Sequence, residues 1–210
     1  MSLPLTAVIL ALAVRHIPQL AIDIRHRHRP RTSRRRTAAR GIWIVALYLA
    51  ICIPALGRLA RSQHLVGPLD TSGAMLLAVG LFLGLAGLWA IRSYYAEDIS
   101  LCPGFRLVKT GAYGVVRHPI RLGLALESLG LALISHFWVL VVPWLGIVGL
   151  QAVRSWQEDV FLSEQLGEEA VRYQATVPAW NPSVGIWRQV AGAVRRRRAH
   201  RGVVSLRPRV

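Results

Sequence analysis

The sequence predicts an all-α, polytopic membrane protein: about five transmembrane helices, a helical hairpin among them, and a C-terminal cytoplasmic amphipathic helix. Three observations carry the prediction. Apolar residues make up 53% of the 210, with mean hydropathy +0.40, and they gather in blocks suited to a bilayer rather than spreading through the chain. Lys and Arg number 26 against 10 acids, a net charge of +16, and they crowd into the polar segments between those blocks. A polar loop with two turn signals then separates the apolar stretches 73–91 and 120–150. The positive-inside bias accounts for the charge more simply than phosphate-backbone binding does, so no nucleic-acid partner is expected. Two cysteines, Cys52 and Cys102, are too few and too far apart for a disulfide framework or a metal site. No metal is expected.

Taken in order, residues 3–22 are apolar but interrupted by Arg15 and His16. No Lys or Arg precedes the run, which fits a secretory signal poorly. A tilted or kinked first span is expected, with Pro18 as the kink, or else a shorter segment lying partly in the interface. Residues 25–40 hold eight arginines and no acid, so this segment should stay cytoplasmic against anionic headgroups. Residues 41–57 read as a second span, with Trp43 at interface level, Pro54 near its far end and Cys52 as packing. The connection 58–71 has only two arginines, Arg58 and Arg61, and no lysine, and suits the outer side. A third span follows at 73–91, where Gly80, Gly84 and Gly87 form a small-residue face for close helix packing. Segment 92–118 carries bases and acids and should be cytoplasmic. Spans at 120–134 and 137–153 make the hairpin, turning at Ser135-His136; both fall short of ~20 residues, so their ends should extend into flanking polar sequence. Five spans place the N-terminus outside and the arginine-rich segments inside. The expected setting is a bacterial cell membrane, with the functional site on its cytoplasmic side.

From Gln151 the chain should leave the membrane as a helix. Val160, Phe161, Leu162, Leu166, Ala170 and Tyr173 form an apolar stripe among Glu158, Asp159, Glu164, Glu168 and Glu169. Pro178 and Pro182 end it. A basic tail, 183–210, reads as disordered and drawn to the inner leaflet. Three regions result: N-terminal spans with a basic loop (1–72), a core (73–182) and the tail.

The chain is organised around the loop 106–123. Thr110-Gly111 and His118-Pro119 mark turns, and Pro119 suits the first position of the next helix. Polar backbone between spans is tolerated where protein buries it or water reaches it, which is also where a small polar ligand could sit. Arg117, His118 and Arg121 add cationic groups there; taken alone, Arg117 and His118 fit bases snorkelling at the interface better than a site. Arg154 and Glu158 lie one turn apart on the last helix and share a face. They are either a surface pair or part of a site where the span emerges. Glu127, two turns into the fourth span, should face the bundle or a water-filled cavity, or hydrogen-bond a neighbouring helix.

Leu107-Val108, Gly111-x-Tyr113 and Arg117-His118-Pro119 resemble the L-V-x-x-G-x-Y-x-x-x-R-H-P-x-Y signature of the isoprenylcysteine carboxyl methyltransferase family, whose relatives include membrane phospholipid N-methyltransferases. A second block is similar to the family's R-x-x-x-E-E-x-x-L, F-G-E-E-Y, Y and V-P: Arg154-x-x-x-Glu158-Asp159-x-x-Leu162, Leu166-Gly167-Glu168-Glu169, Tyr173 and Val177-Pro178. The resemblance covers about residues 73–182. It implies an S-adenosyl-L-methionine cofactor, with the Leu107-Val108 backbone at the adenine edge, Tyr113 and the His118-Pro119 turn lining the pocket, and Glu158 on the cofactor. It also implies Arg154 as the catalytic residue that holds an acceptor carboxylate. The chain departs from the pattern at Arg121, where the family has an aromatic ring, at Asp159 for the second Glu, and at Ala170 for Tyr.

Methyl transfer of this kind needs acceptor and methyl group held in line and water excluded. The resemblance therefore implies carboxyl O-methylation of an isoprenylcysteine-like or other lipidic acceptor entering from the bilayer. N-methylation of an amine-bearing lipid is the nearest alternative. A membrane scaffold that keeps the fold without the chemistry is a third reading, motivated by Arg121 and Asp159.

Overall fold

The computed structural model describes residues 3–26, 33–35, 38–61, 67–95, 99–101 and 103–191. Its elements, in chain order, are α1 (Leu3–His26), β1 (Ser33–Arg35), α2 (Ala38–Arg61), α3 (Pro68–Ile91), β2 (Ile99–Leu101), the single turn α4 (Ala112–Val115), α5 (Pro119–Ser135), a 3-10 turn (Trp138–Leu140), α6 (Val141–Leu166) and α7 (Glu168–Thr176). A last helix, α8, covers 182–191. The fold is an all-α membrane bundle, as the apolar blocks predict. Exposed apolar side chains such as Leu10, Leu49, Phe82, Trp89 and Leu145 face outward from its long helices. A water-soluble protein would bury a surface of that extent; lipid does not require it.

Four described helices are long and apolar enough to cross a membrane: Pro4–His26, Gly41–Arg61, Pro68–Ile91 and Trp138–Leu166. The fifth expected span, α5, has 17 residues. Its rise of about 26 Å is short of a ~30 Å hydrocarbon core. It runs from the polar loop to the hairpin turn as the centre of the bundle, packed by α2, α3 and α6, with Leu122, Ala125, Leu131 and Ile134 buried. The hairpin is present as expected: His136 takes a left-handed conformation (φ 60°) and closes α5, a role left-handed residues commonly fill at helix ends. All four of those helices are longer than their apolar runs suggest. α1 is one continuous helix through Arg15, His16 and Pro18, so those residues do not interrupt it.

The small-residue face on α3 packs on α5. A Cβ on Gly80 would lie 2.6 Å from the Gly123 carbonyl oxygen and 2.6 Å from the Glu127 nitrogen, and one on Gly73 would lie 2.7 Å from the Gly130 carbonyl oxygen. Backbones this close gain dispersion that larger side chains would forbid. Gly80→Ala is therefore expected to cost about 1–3 kcal/mol, read as a lower melting temperature in detergent. An unchanged melting temperature would show that the two helices do not meet there.

Charged groups also join the helices. Arg58 donates to both carboxylate oxygens of Asp70 (2.8 and 3.2 Å) and to the Ile134 carbonyl (2.8 Å), while His136 Nε2 lies 2.9 Å from Asp70. This cluster fastens α2, α3 and the hairpin turn at the end of the bundle away from the polar loop. Deeper in, Arg15 (1% exposed) meets Glu127 (0%) with Nε to Oε1 at 3.2 Å, joining α1 to α5. Cys52 is buried in the apolar core, as expected for packing.

The structure adds a short antiparallel ribbon where only a loop was expected. β1 pairs with β2 in the register Ser33–Leu101, Arg34–Ser100 and Arg35–Ile99. Ile99 and Leu101 pack with Phe161, and Phe105, Leu162 and Leu166 surround them, so the ribbon is stitched to the polar end of α6. The C-terminal segment expected to open a disordered tail at 183 is helical through 191; residues 192–210, with Arg195–Arg198, lie outside the described residues.

Candidate functional site

The loop 106–123 is held from several sides. Gly111 takes φ 61° and starts α4, a backbone state that costs Gly little. Pro119 takes the first turn of α5 behind His118. The second block clamps this loop. The Arg117 N–H donates to the Pro178 carbonyl at 3.0 Å, the Tyr173 hydroxyl to the Tyr113 carbonyl at 2.7 Å, and Lys109 pairs with Glu169 at 2.6 Å. Gln174 Nε2 ties α7 back to α6 through the Asp159 carbonyl at 2.8 Å. The two sequence blocks thus form one body.

Where they meet, a chain of charges forms. Asp159 pairs with Arg117 at 3.2 Å, and its Oδ1 lies 3.2 Å from His118 Nε2. Arg121 pairs with Glu158 at 2.5 Å. Arg121 Nη1 also lies 3.2 Å from His118 Nδ1 and 3.4 Å from Ser155 Oγ. A guanidinium can only donate, so this pattern suits the His118 tautomer whose proton sits on Nε2 and points at Asp159. His118 is 5% exposed, and its orientation is fixed from both sides. The Tyr113 phenol is pushed well above its usual range by burial and, next, by the Glu158 charge. Burial also raises the Tyr173 phenol. Both hydroxyls therefore keep their protons, and the Tyr173 bond to the loop persists over the working pH range.

Two cavities open on this cluster. The smaller, about 100 Å³, is lined by Leu107, Val108, Tyr94, Phe105, Asp159 and Tyr173 among others. Tyr94 and Phe105 meet edge to face with ring centroids 5.4 Å apart. The larger, about 590 Å³, is bounded by α1 and α2 on one side and by Gln151 and Arg154 on the other, a volume typical of small-molecule sites. Tyr113, Arg117, His118, Arg121 and Glu158 line both. They form the seam between the two.

Of the residues singled out in the sequence, Leu107 and Val108 face the smaller cavity, Arg154 (4% exposed) the larger, and Tyr113, His118 and Glu158 both. Pro119 is a correction. It lines neither cavity, because its ring is buried against Gly87 of α3; it sets the turn and leaves the pocket wall to His118. Sequence reasoning missed Tyr94, Phe105 and Tyr173 as lining, and gave Asp159 no firm part. Asp159 in fact anchors both Arg117 and His118. Its position beside Glu158 in a polar turn of the helix was the available signal.

Residues 69–169 match the phospholipid methyltransferase family. That segment, just under half of the chain, is a phospholipid methyltransferase domain, of the family of membrane methyltransferases that the two sequence blocks resemble. The match runs from the start of α3 to the first turn of α7, and so takes in the Arg-His-Pro turn, Arg154 and Glu158. No curated protein gives a significant match. The matched segment supplies α3, the polar loop, α5 and α6, while α1 and α2 close the larger cavity from outside it.

Proposed function

We propose that the protein transfers the methyl group of S-adenosylmethionine to a carboxylate of a lipid-like acceptor that enters sideways from the bilayer. The observation that carries this reading is the seam: Tyr113, His118 and Glu158 are shared by an aromatic pocket and by a larger cavity that holds Arg154 and opens toward α1 and α2. The residues fit the cofactor. Glu158 is 36% exposed at the seam and offers a carboxylate to an ammonium or ribose hydroxyl, and the Tyr94–Phe105 pair offers ring edges and faces to a base. Bound there, the cofactor supplies an electrophilic methyl group on sulfur.

The protein's own work is to hold and to exclude. Arg154 offers a planar fork that matches a carboxylate in two parallel hydrogen bonds. A carboxylate acceptor arrives as an anion, so no base is required of the chain. His118 and Asp159 keep the wall of the seam rigid, and the apolar flanks Ile17, Leu20, Val45 and Leu49 keep bulk water from the reacting groups.

N-methylation of an aminolipid is the second reading, favoured by the description of the matched family. A cationic Arg154 in the acceptor cavity repels an ammonium and works against it. Offering labelled cofactor with a prenylcysteine or with an aminolipid separates the two by which product carries label. Arg154→Ala is expected to lower kcat/KM for a carboxylate acceptor about tenfold, the loss of a charged hydrogen bond, while S-adenosylhomocysteine affinity stays unchanged. Equal turnover in both proteins would remove Arg154 from the acceptor site. Failure of the folded wild type to bind S-adenosylhomocysteine would leave a scaffold.

A further inference from the structure

The larger cavity has polar groups at two depths, and the proposed function uses only those at the seam. α1 presents Arg15, Gln19 and Asp23 at four-residue spacing, one face of a helix, and all three line the cavity. His16 and Tyr48 join them. Beneath this layer Glu127 is fully buried and holds Arg15 at 3.2 Å and His16 Nε2 at 3.3 Å. The Tyr48 hydroxyl lies 3.2 Å from His16 Nε2 and donates to Glu127 at 3.5 Å. Arg15 also donates to Gln19, whose amide reaches the Tyr95 hydroxyl at 2.6 Å.

The Asp70 cluster has the same pattern of a sealed acid and a half-exposed histidine, Asp70 at 0% with His136 at 38% and Glu127 at 0% with His16 at 35%. What sets the Glu127 network apart is that His16, Arg15 and Tyr48 line the larger cavity. Ionisable side chains inside a membrane face bundle interiors or polar cavities and mark ligand paths. The depth follows from helix geometry. Arg121 at the seam and Glu127 are six residues apart on α5, a rise of about 9 Å.

Resting on the carboxylate-acceptor reading, we propose that His16, backed by Glu127 and Tyr48, forms a second subsite in the acceptor cavity, which binds a hydrogen-bonding group one Arg121–Glu127 rise, ~9 Å, from the level of the seam. The acceptor class is then an amphiphile with two polar points, a carboxylate at Arg154 and a hydroxyl or amide at His16, with its apolar remainder leaving between α1 and α2. A compact headgroup on a plain hydrocarbon chain leaves the His16 layer unanswered.

The test uses stearate and 10-hydroxystearate as probes, titrated into the purified full chain in nanodiscs with S-adenosylhomocysteine present. Each protein is scored by the ratio of its two affinities, so that partition into lipid cancels between proteins. The wild-type ratio should favour the hydroxy acid by about tenfold over the ratio in His16→Leu, the worth of one hydrogen bond. His16→Gln, which keeps a donor and an acceptor, should retain most of the preference and guards against a variant that merely folds badly. The same ratio in wild type and His16→Leu overturns the subsite alone. If neither acid binds a wild type that still takes up S-adenosylhomocysteine, the carboxylate reading falls, and the subsite with it.

Discussion

Glu158→Gln is expected to weaken S-adenosylhomocysteine binding about 100-fold. The side chain keeps its shape but loses the charge, and a charged hydrogen bond in a partly dry site contributes up to about 3 kcal/mol. Glu158 is the carboxylate shared by both cavities, so no neighbour can take its place without moving the ligand. Asp159 cannot do so because its two oxygens are engaged by Arg117 and His118. Arg121, which pairs with Glu158 at 2.5 Å, retains His118 and Ser155 as neighbours, so the fold should tolerate the change. Calorimetric titration reads the affinity, and a melting curve confirms the fold. Wild-type affinity in the variant would take Glu158 out of the cofactor site whatever the family.

The second large effect is on stability. Glu127→Ala should lower it by about 3–5 kcal/mol, because Arg15 is left charged and enclosed without its partner. For a chain of this size that is a fall of roughly 6–20 °C in melting temperature. The double change Arg15→Leu with Glu127→Leu should recover much of the loss, since two well-packed apolar side chains often replace a buried pair at little cost. Gly84 limits the repacking: its backbone lies against the Arg15 guanidinium, so the new leucine must fill that space. A double variant no more stable than the single one would mean that Arg15 and Glu127 act independently, not as a pair.

Much of this protein could be read from its sequence because a bilayer imposes simple demands. A long apolar run must be a helix, since only a helix satisfies its own backbone in lipid. Glycines at helical spacing on α3 signal a close partner, although they do not name it. The partner is α5, whose Gly123 and Gly130 return the fit. Local pattern failed where length and environment compete. Arg15 looks like a break in an apolar run, yet Glu127, far along the chain, supplies the counter-charge that lets α1 continue. α5 is the shortest of the long helices, and its neighbours rather than lipid cover it. Tyr94 and Phe105 carry no signal, because a ring in a connecting segment acquires meaning only when another ring is folded beside it.

By itself the sequence determined the membrane class, the hairpin, and two polar blocks bearing the residues of the candidate site, since hydropathy, turn chemistry and motif are local properties. Only the tertiary structure decided that Asp159 holds His118, that Arg121 stands on Glu158, that Pro119 faces a helix instead of a pocket, and that α1 lays a polar layer along the larger cavity. Those are pairings between groups far apart in the chain, and their energies depend on distance and on the exclusion of water, which no stretch of sequence contains.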